Sequence, residues 1–299
     1  MSYPFVIETQ QLTKAYGKVQ AVNALNLRVA ANQITCFLGR NGAGKSTTIK
    51  MLLGMTHPTS GTGTVLGRTI QDAQQSRDLR RHVAYVAEDK QLYAYMTVEE
   101  MVRFTRSFYA DWRPEVEQRL LKQYELSPRR RVKALSKGMR TKLALLLALS
   151  RRPELLILDE PSEGLDPVAI EELLQTLVAA AAEGTTIFFS SHQIAEVERI
   201  ADHVCMINHG RLVMDLPLDR LRQDYRRITL SFAAEPPPTA EVQAEGIEQV
   251  RTNGRQITMM ASRDADAVVE RLQRLRPISV EVEPVGLREA FLEKVKEEA

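Results

Sequence analysis

The segment Ile34-Thr-Cys-Phe-Leu38-Gly39-Arg-Asn-Gly-Ala-Gly44-Lys45-Ser46-Thr-Thr-Ile-Lys-Met-Leu-Leu-Gly54 decides how this chain is read. Its opening run, ITCFL, is almost wholly apolar or β-branched, which predicts a short strand buried on both faces. The stretch from Lys45 to Gly54 has helical spacing and predicts a helix. Between them lies G-x-x-x-x-G-K-S, a pattern that acquires meaning only between a strand and a helix. Its glycines let backbone N–H groups turn inward around phosphates, and the helix N-terminus adds a positive dipole. Lys45 is expected to reach β- and γ-phosphates, Ser46 to ligate Mg²⁺, and Thr47 to lie beside the α-phosphate. Gly39, Arg40, Asn41, Gly42, Ala43 and Gly44 form the cradle; the arginine is unusual there, but the backbone does most of the binding.

The same alternation runs outward on both sides. FVIET, VAYVA, ELLILDE, TTIFFSS and HVCMIN predict further strands. Helices are expected near Val98–Ala110, Pro114–Tyr124, Lys137–Ser150, Pro167–Glu183 and Gln193–Ala201. This order predicts an α/β domain with a mostly parallel sheet. Three helices without an intervening strand mark residues 92–150 as a helical subdomain. After Asp215 the texture changes: a short helix at Leu218–Asp224, the strand ITLSFAAE, then IEQVRT and RQITMMA joined by Asn253-Gly254, a hairpin signal. A helix near Asp266–Leu275, the strand ISVEVEP and a helix at Leu287–Lys296 complete a small α+β domain without a chemical motif. Pro236–Pro238, just after the first of its strands, excludes regular pairing there. The expected domains are 1–217 and 218–299.

Leu155–Leu158 predicts a buried strand ending in Asp159-Glu160. Aspartate at such a strand end can hold Mg²⁺ or its water beside phosphates, and the adjacent Glu160 can polarise an attacking water. With the phosphate loop, this pair implies hydrolysis as well as binding.

Leu135-Ser136-Lys137-Gly138-Met139, opening a helix about 20 residues before that acidic strand, resembles the LSGGQ signature of ABC-transporter ATPases. Tyr16 in LTKAYG is similar to their adenine-stacking aromatic residue, Glu163-Gly-Leu-Asp166 to their D-loop, and His192 after TTIFFSS to their switch histidine. The resemblance covers roughly residues 3–215. It implies a P-loop NTPase of the ABC type, binding ATP and Mg²⁺ in a head-to-tail dimer. Each site would take Tyr16, the phosphate loop, Asp159, Glu160 and His192 from one copy, and Ser136 and Gly138 from the other, with Asp166 also at the nucleotide interface. Three departures stand out: Lys137 replaces a signature glycine, Met139 replaces its glutamine, and Glu88 in VAYVAED occupies a glutamine position near Mg²⁺.

Composition narrows the function. The chain has 299 residues, with 40 Lys+Arg against 38 Asp+Glu, too balanced for a nucleic-acid arm or polybasic anchor. The apolar runs at Leu143–Leu149 and Val178–Ala182 are far short of the roughly 18 residues that span a bilayer. The N-terminus has no basic segment followed by an apolar stretch, so no signal peptide is expected. Cys36 and Cys205 show no metal-type spacing and are expected to be buried core thiols.

The membrane part is therefore expected on a separate polypeptide, with this chain peripheral on the cytoplasmic face of a bacterial plasma membrane. Tyr93, Tyr95 and Met96 in EDKQLYAYM are candidates for the surface that receives it. FYADW at Phe108–Trp112 and the C-terminal LREAFLEKV resemble exporter-type ATPases for drugs, antimicrobial peptides, or lipid and polysaccharide. The alternative is an ABC ATPase acting on ribosomes or DNA. Against it, the chain has one nucleotide domain and no long coiled coil, and Arg129-Arg-Arg131 is its only dense basic run.

Overall fold

The computed structural model describes residues 4–243 and 245–296; the ends of the expected domains at 1–3 and 297–299 lie outside the described residues. The chain divides into two compact units, Met1–Asp215 and Leu216–Ala299.

The first unit opens with β1 (Phe5–Tyr16), β2 (Val19–Leu25), β3 (Arg28–Ala30) and β4 (Ile34–Leu38). Then come α1 (Lys45–Leu52), β5 (Ser60–Val65), β6 (Arg68–Thr69), α2 (Ala73–His82) and β7 (Val83–Val86). The helical segment holds α3 (Val98–Arg106), α4 (Pro114–Gln123) and α5 (Lys137–Leu149). The chain returns through β8 (Leu155–Leu158), α6 (Pro167–Ala182), β9 (Thr186–Ser191), α7 (Ile194–Ile200), β10 (His203–Asn208) and β11 (Arg211–Pro217).

The main sheet has the order β11-β10-β4-β9-β8-β7, and its five strands from β10 to β7 run parallel. Every residue of β4, β8 and β9 is buried, as strands covered on both faces require. Register aligns their ends: Leu38 pairs with Ser191, and Leu158 with Phe189 and Val86. The loops after β4, β7, β8 and β9 therefore leave from one edge, the carboxyl ends where ligands bind in open α/β sheets.

Sequence reading did not foresee the second sheet, β2-β1-β5-β6 with β3 paired to β1. β1 runs 12 residues rather than five, through polar Thr-Gln-Gln with Gln11 at φ 50, and β5 contains two glycines. A bent strand and a glycine-bearing one both lack the alternation that reveals a strand. The two sheets share a core: Ile7, Leu12, Val22 and Leu25 pack with Phe37, Ile157, Phe188 and Cys205. α2 was also unforeseen, because only Ser76 and Leu79 on it are buried. The helical segment follows its local signals more closely. Thr97 and Glu100 form a capping box on α3, Pro114 opens α4, and Ser136 caps α5.

The second unit holds α8 (Leu218–Asp224), β12 (Arg226–Ser231), α9 (Thr239–Val242), β13 (Ile247–Asn253), β14 (Gln256–Ala261), α10 (Ala265–Gln273), β15 (Ser279–Pro284) and α11 (Leu287–Lys296). Its antiparallel sheet, β13-β14-β12-β15, buries Ile228, Leu230, Ile257 and Met259 against Val268 and Leu272 of α10. Asn253 pairs with Gln256 across the turn, and Gly254 takes φ 59.

Candidate functional site

The loop after β4 turns at Gly42 (φ 83) and Gly44 (φ 107), both in conformations that favour glycine. At Gly44 a Cβ would also lie 2.4 Å from the Ala21 carbonyl oxygen, so no other residue fits. α1 starts at the next residue, and geometry leaves the amides of its first turn without intrahelical partners. The residues of that turn, Lys45, Ser46 and Thr47, line a cavity of about 270 Å³ together with Asn41, Gly42 and Gly44. Ala43 does not join them as expected: its N–H donates to the Arg40 carbonyl, 3.1 Å away, closing the loop on itself. The Arg40 side chain is exposed and, like Gly39, is absent from the cavity wall.

Lys45 is buried, and its ammonium donates to the carbonyls of Gly39 (2.7 Å) and Arg40 (3.1 Å). It also stands 2.9 Å from Glu160 Oε1, a coulombic contact without hydrogen-bond alignment. Glu160 Oε2 lies 2.9 Å from His192 Nδ1. Glu160 itself takes the left-handed conformation (φ 43), costly for a side chain with a Cβ, and its N–H donates to Ser190 Oγ at 3.0 Å. The strained residue is thus the one whose carboxylate reaches both Lys45 and His192 at the cavity wall.

Beside it, Asp159 Oδ1 accepts from Ser46 Oγ (3.2 Å) and Ser190 Oγ (2.7 Å). A hydroxyl and a carboxylate at the phosphate-facing helix end are hard oxygen donors of the kind Mg²⁺ takes, with waters and phosphate completing its shell. The donor set fits that ion.

Glu88, on the loop after β7, lines the same cavity. Nearby, burial raises the Tyr85 phenol to about 12, helped by the charges of Asp159 and Glu88, so it stays neutral. Burial also lowers the Lys90 ammonium, with the positive Lys137 adding to the effect and Glu88 opposing it. Two cations thus accompany the extra carboxylate at position 88. Lys137 folds over the D-loop: a Cβ on Gly164 would meet its Nζ at 2.6 Å.

Besides Gly39, Arg40, Ala43 and Asp159, four further expected residues do not line the cavity of this chain. Tyr16 is 51% exposed at the end of β1, with the Lys14 ammonium 5.0 Å from its ring centroid. Ser136 caps α5 by accepting from Met139 N, and Gly138 lies in the first turn of that helix. Asp166 caps α6, accepting from the amides of Val168 and Ala169. Each cap satisfies its own helix end, and none of the three reaches the phosphate loop's cavity.

Sequence reading missed Ser190, and it missed Glu196 as well. Glu196 of α7 is buried, and its Oε2 accepts from Ser162 Oγ (2.7 Å) and, at the limit of bonding, Ser191 Oγ (3.5 Å). It therefore joins the segment just after Glu160 to the segment just before His192. Burial, reinforced by the Glu160 charge, raises its carboxyl above the ordinary range, while the Ser162 hydrogen bond opposes the shift. The signal was a glutamate four residues after His192, on the helix face turned inward.

A second surface lies in the helical segment. Tyr93, Tyr95 and Phe108 are exposed, and Phe104 stacks edge-on against both Tyr93 (5.4 Å) and Phe108 (5.1 Å). An adjoining groove of about 620 Å³ is lined by Tyr95, Met96, Phe104, Glu100, Arg103 and Arg131. Phe104 and Phe108 extend the expected trio of Tyr93, Tyr95 and Met96.

Known proteins resemble this chain. The family model described as "ABC transporter" matches residues 22–163. The chain is 37% identical over 225 residues to the bacitracin transport ATP-binding protein BcrA of Bacillus licheniformis, covering 74% of this chain and 73% of that one. It is 33% identical over 216 residues to the lantibiotic transport ATP-binding protein SrtF of Streptococcus pyogenes, covering 72% and 92%. Among solved structures, an ATP binding subunit of an ABC transporter superposes with a TM-score of 0.66 at 32% identity, covering 73% of this chain and 92% of the other.

Proposed function

The chain belongs to the ABC transporter family as an ATP-binding subunit, and from that premise we propose that it hydrolyses ATP to drive a membrane exporter of antimicrobial peptides. The peptide class rests on the names of two relatives, a bacitracin and a lantibiotic transport protein. The observation that carries the enzymatic part is the convergence of Lys45, Ser46, Asp159, Glu160 and His192 at one edge of the parallel sheet.

In this reading the loop amides and Lys45 bind the β- and γ-phosphates. Ser46 and Asp159 hold Mg²⁺, which supplies positive charge at those phosphates. Glu160 accepts a proton from the water whose oxygen attacks the γ-phosphorus, and ADP departs. His192 holds Glu160 from one side and faces the γ-phosphate with its other nitrogen. Tyr16, exposed at the end of β1, stacks on adenine.

Ser136, Gly138 and Asp166 lie outside this cavity and serve the site of a second copy, joined head to tail. An uncapped γ-phosphate at the first turn of α5 would meet the Ser136 hydroxyl and helix-end amides. Residues 1–217 act as the nucleotide-binding domain and 218–299 as an accessory domain. The membrane partner is a separate polypeptide, and the exposed aromatic surface around Tyr93, Tyr95, Phe104 and Phe108 receives a cytoplasmic segment of it. The chain is peripheral on the cytoplasmic face of the membrane and binds no nucleic acid.

The test is an affinity pull-down of the tagged chain from gently solubilised native membranes. Recovery of a multi-span membrane protein in equal amount supports the exporter reading. Recovery only from the soluble fraction, with ribosomes or DNA, overturns it.

A further inference from the structure

His203 and Cys205 stand two residues apart on β10 and so project from one face of the sheet. The neighbouring edge strand, β11, brings Asp215 to them. His203 Nε2 lies 2.6 Å from Asp215 Oδ1, and Cys205 Sγ lies 3.3 Å from the same oxygen. The three donor atoms all fall within 4.8 Å of one another. None of them lines the nucleotide cavity. β10 runs parallel to β4 with His203 opposite Thr35, so the cluster sits toward the amino-terminal ends of strands whose carboxyl ends carry the phosphate loop.

From this convergence we infer a second metal site, in which His203, Cys205 and Asp215 bind a divalent transition ion, Zn²⁺ before others. The donor set decides the class of ion. Thiolate and imidazole favour Zn²⁺ or Co²⁺ over Mg²⁺, whose shell is built from oxygen. The geometry is close to what such an ion needs. Bonds of about 2.0–2.3 Å in a tetrahedron place neighbouring donors roughly 3.3–3.6 Å apart. The Cys205–Asp215 separation already meets this, and the His203–Asp215 pair must open by less than about 1 Å. Cys205 closes the site from the buried side, while His203 and Asp215 reach the surface and leave the fourth position to water. Binding releases the Cys205 thiol proton to solvent, and the thiolate then bonds to the ion. A cysteine that sequence spacing assigned to the core alone thus acquires partners through hairpin pairing. Asp215 is the last residue of the first unit, so the ion would fix the strand from which the chain passes into the second.

The test uses the full chain, reduced, stripped of metal and saturated with Mg²⁺ to keep the Ser46–Asp159 donors occupied. Titration with Co²⁺ should give one equivalent with a thiolate-to-cobalt charge-transfer band, which Zn²⁺ then displaces. Cys205→Ser and His203→Ala should each abolish the band and weaken Zn²⁺ at least about tenfold, whereas Cys36→Ser should keep both. His203 is partly exposed, so its variant remains informative if Cys205→Ser fails to fold. No band, or a band that survives His203→Ala, overturns the site.

Discussion

Lys45→Met tests the electrostatic centre of the site without any nucleotide. Lys45 and Glu160 face each other at 2.9 Å with side-chain exposures of 5% and 7%, so solvent screens their interaction little. The substitution removes the nearest cation from a buried carboxylate and the donor from the Gly39 and Arg40 carbonyls. Breaking a buried pair from one side costs about 3–5 kcal/mol. His192 still contacts the other carboxylate oxygen, which places the expected loss near the lower end, about 3 kcal/mol. Glu160→Gln should also destabilise, by leaving Lys45 with only carbonyl partners. The double variant removes both charges and should be at least about 1 kcal/mol more stable than the sum of the two single losses predicts. Equilibrium unfolding in urea, followed by fluorescence of the single tryptophan, reads this out, because Trp112 is buried in the first unit. Losses that add within about 0.5 kcal/mol would mean that the two charges do not interact, since independent sites behave that way.

Two further outcomes follow from the same geometry. Glu196 holds its proton to higher pH in the folded chain than in the unfolded one, so its contribution to stability is fullest below the ordinary carboxylate value of 4.5 and is lost as pH rises through the raised value. Glu196→Gln, neutral throughout, should therefore gain stability relative to the parent chain between acid and neutral pH; a difference that is flat with pH counts against this. Mixing equal amounts of Lys45→Ala and Ser136→Arg, each inactive alone, should restore about a quarter of the ATPase rate, because half of the random dimers carry one intact composite site. No recovery after subunit exchange would contradict a site shared between two copies.

Much of the first unit was legible because its signals are local. ITCFL, LLIL and TIFFSS are fully buried strands and read as apolar runs, and the loop between β4 and α1 needs its glycines where they stand. Beyond FVIET at the start of β1, the antiparallel sheet was not legible. Its strands are stabilised by pairing with residues far along the chain, as Thr13 pairs with Ser60, and carry polar residues and glycines that no short window reads as β. Site residues divide in the same way. Lys45, Ser46, Asp159, Glu160 and His192 follow strand ends and fall together once the sheet forms. Ser136 and Asp166 are helix caps whose proposed ligand belongs to another copy, and the fold of one chain leaves them apart from the cavity. Glu196 was missed because its partners, Ser162 and Ser191, meet it only after β8 and β9 pair. The His203–Cys205–Asp215 cluster is likewise a product of strand pairing.

Hydrolysis at this site turns on Glu160. Measured side by side, ATP binding and steady-state hydrolysis by Glu160→Gln should separate: binding retained within a few-fold, turnover lowered by at least about a hundredfold, the usual contribution of a general base. Hydrolysis at the parent rate would contradict the assignment and move the water-activating group elsewhere in the site.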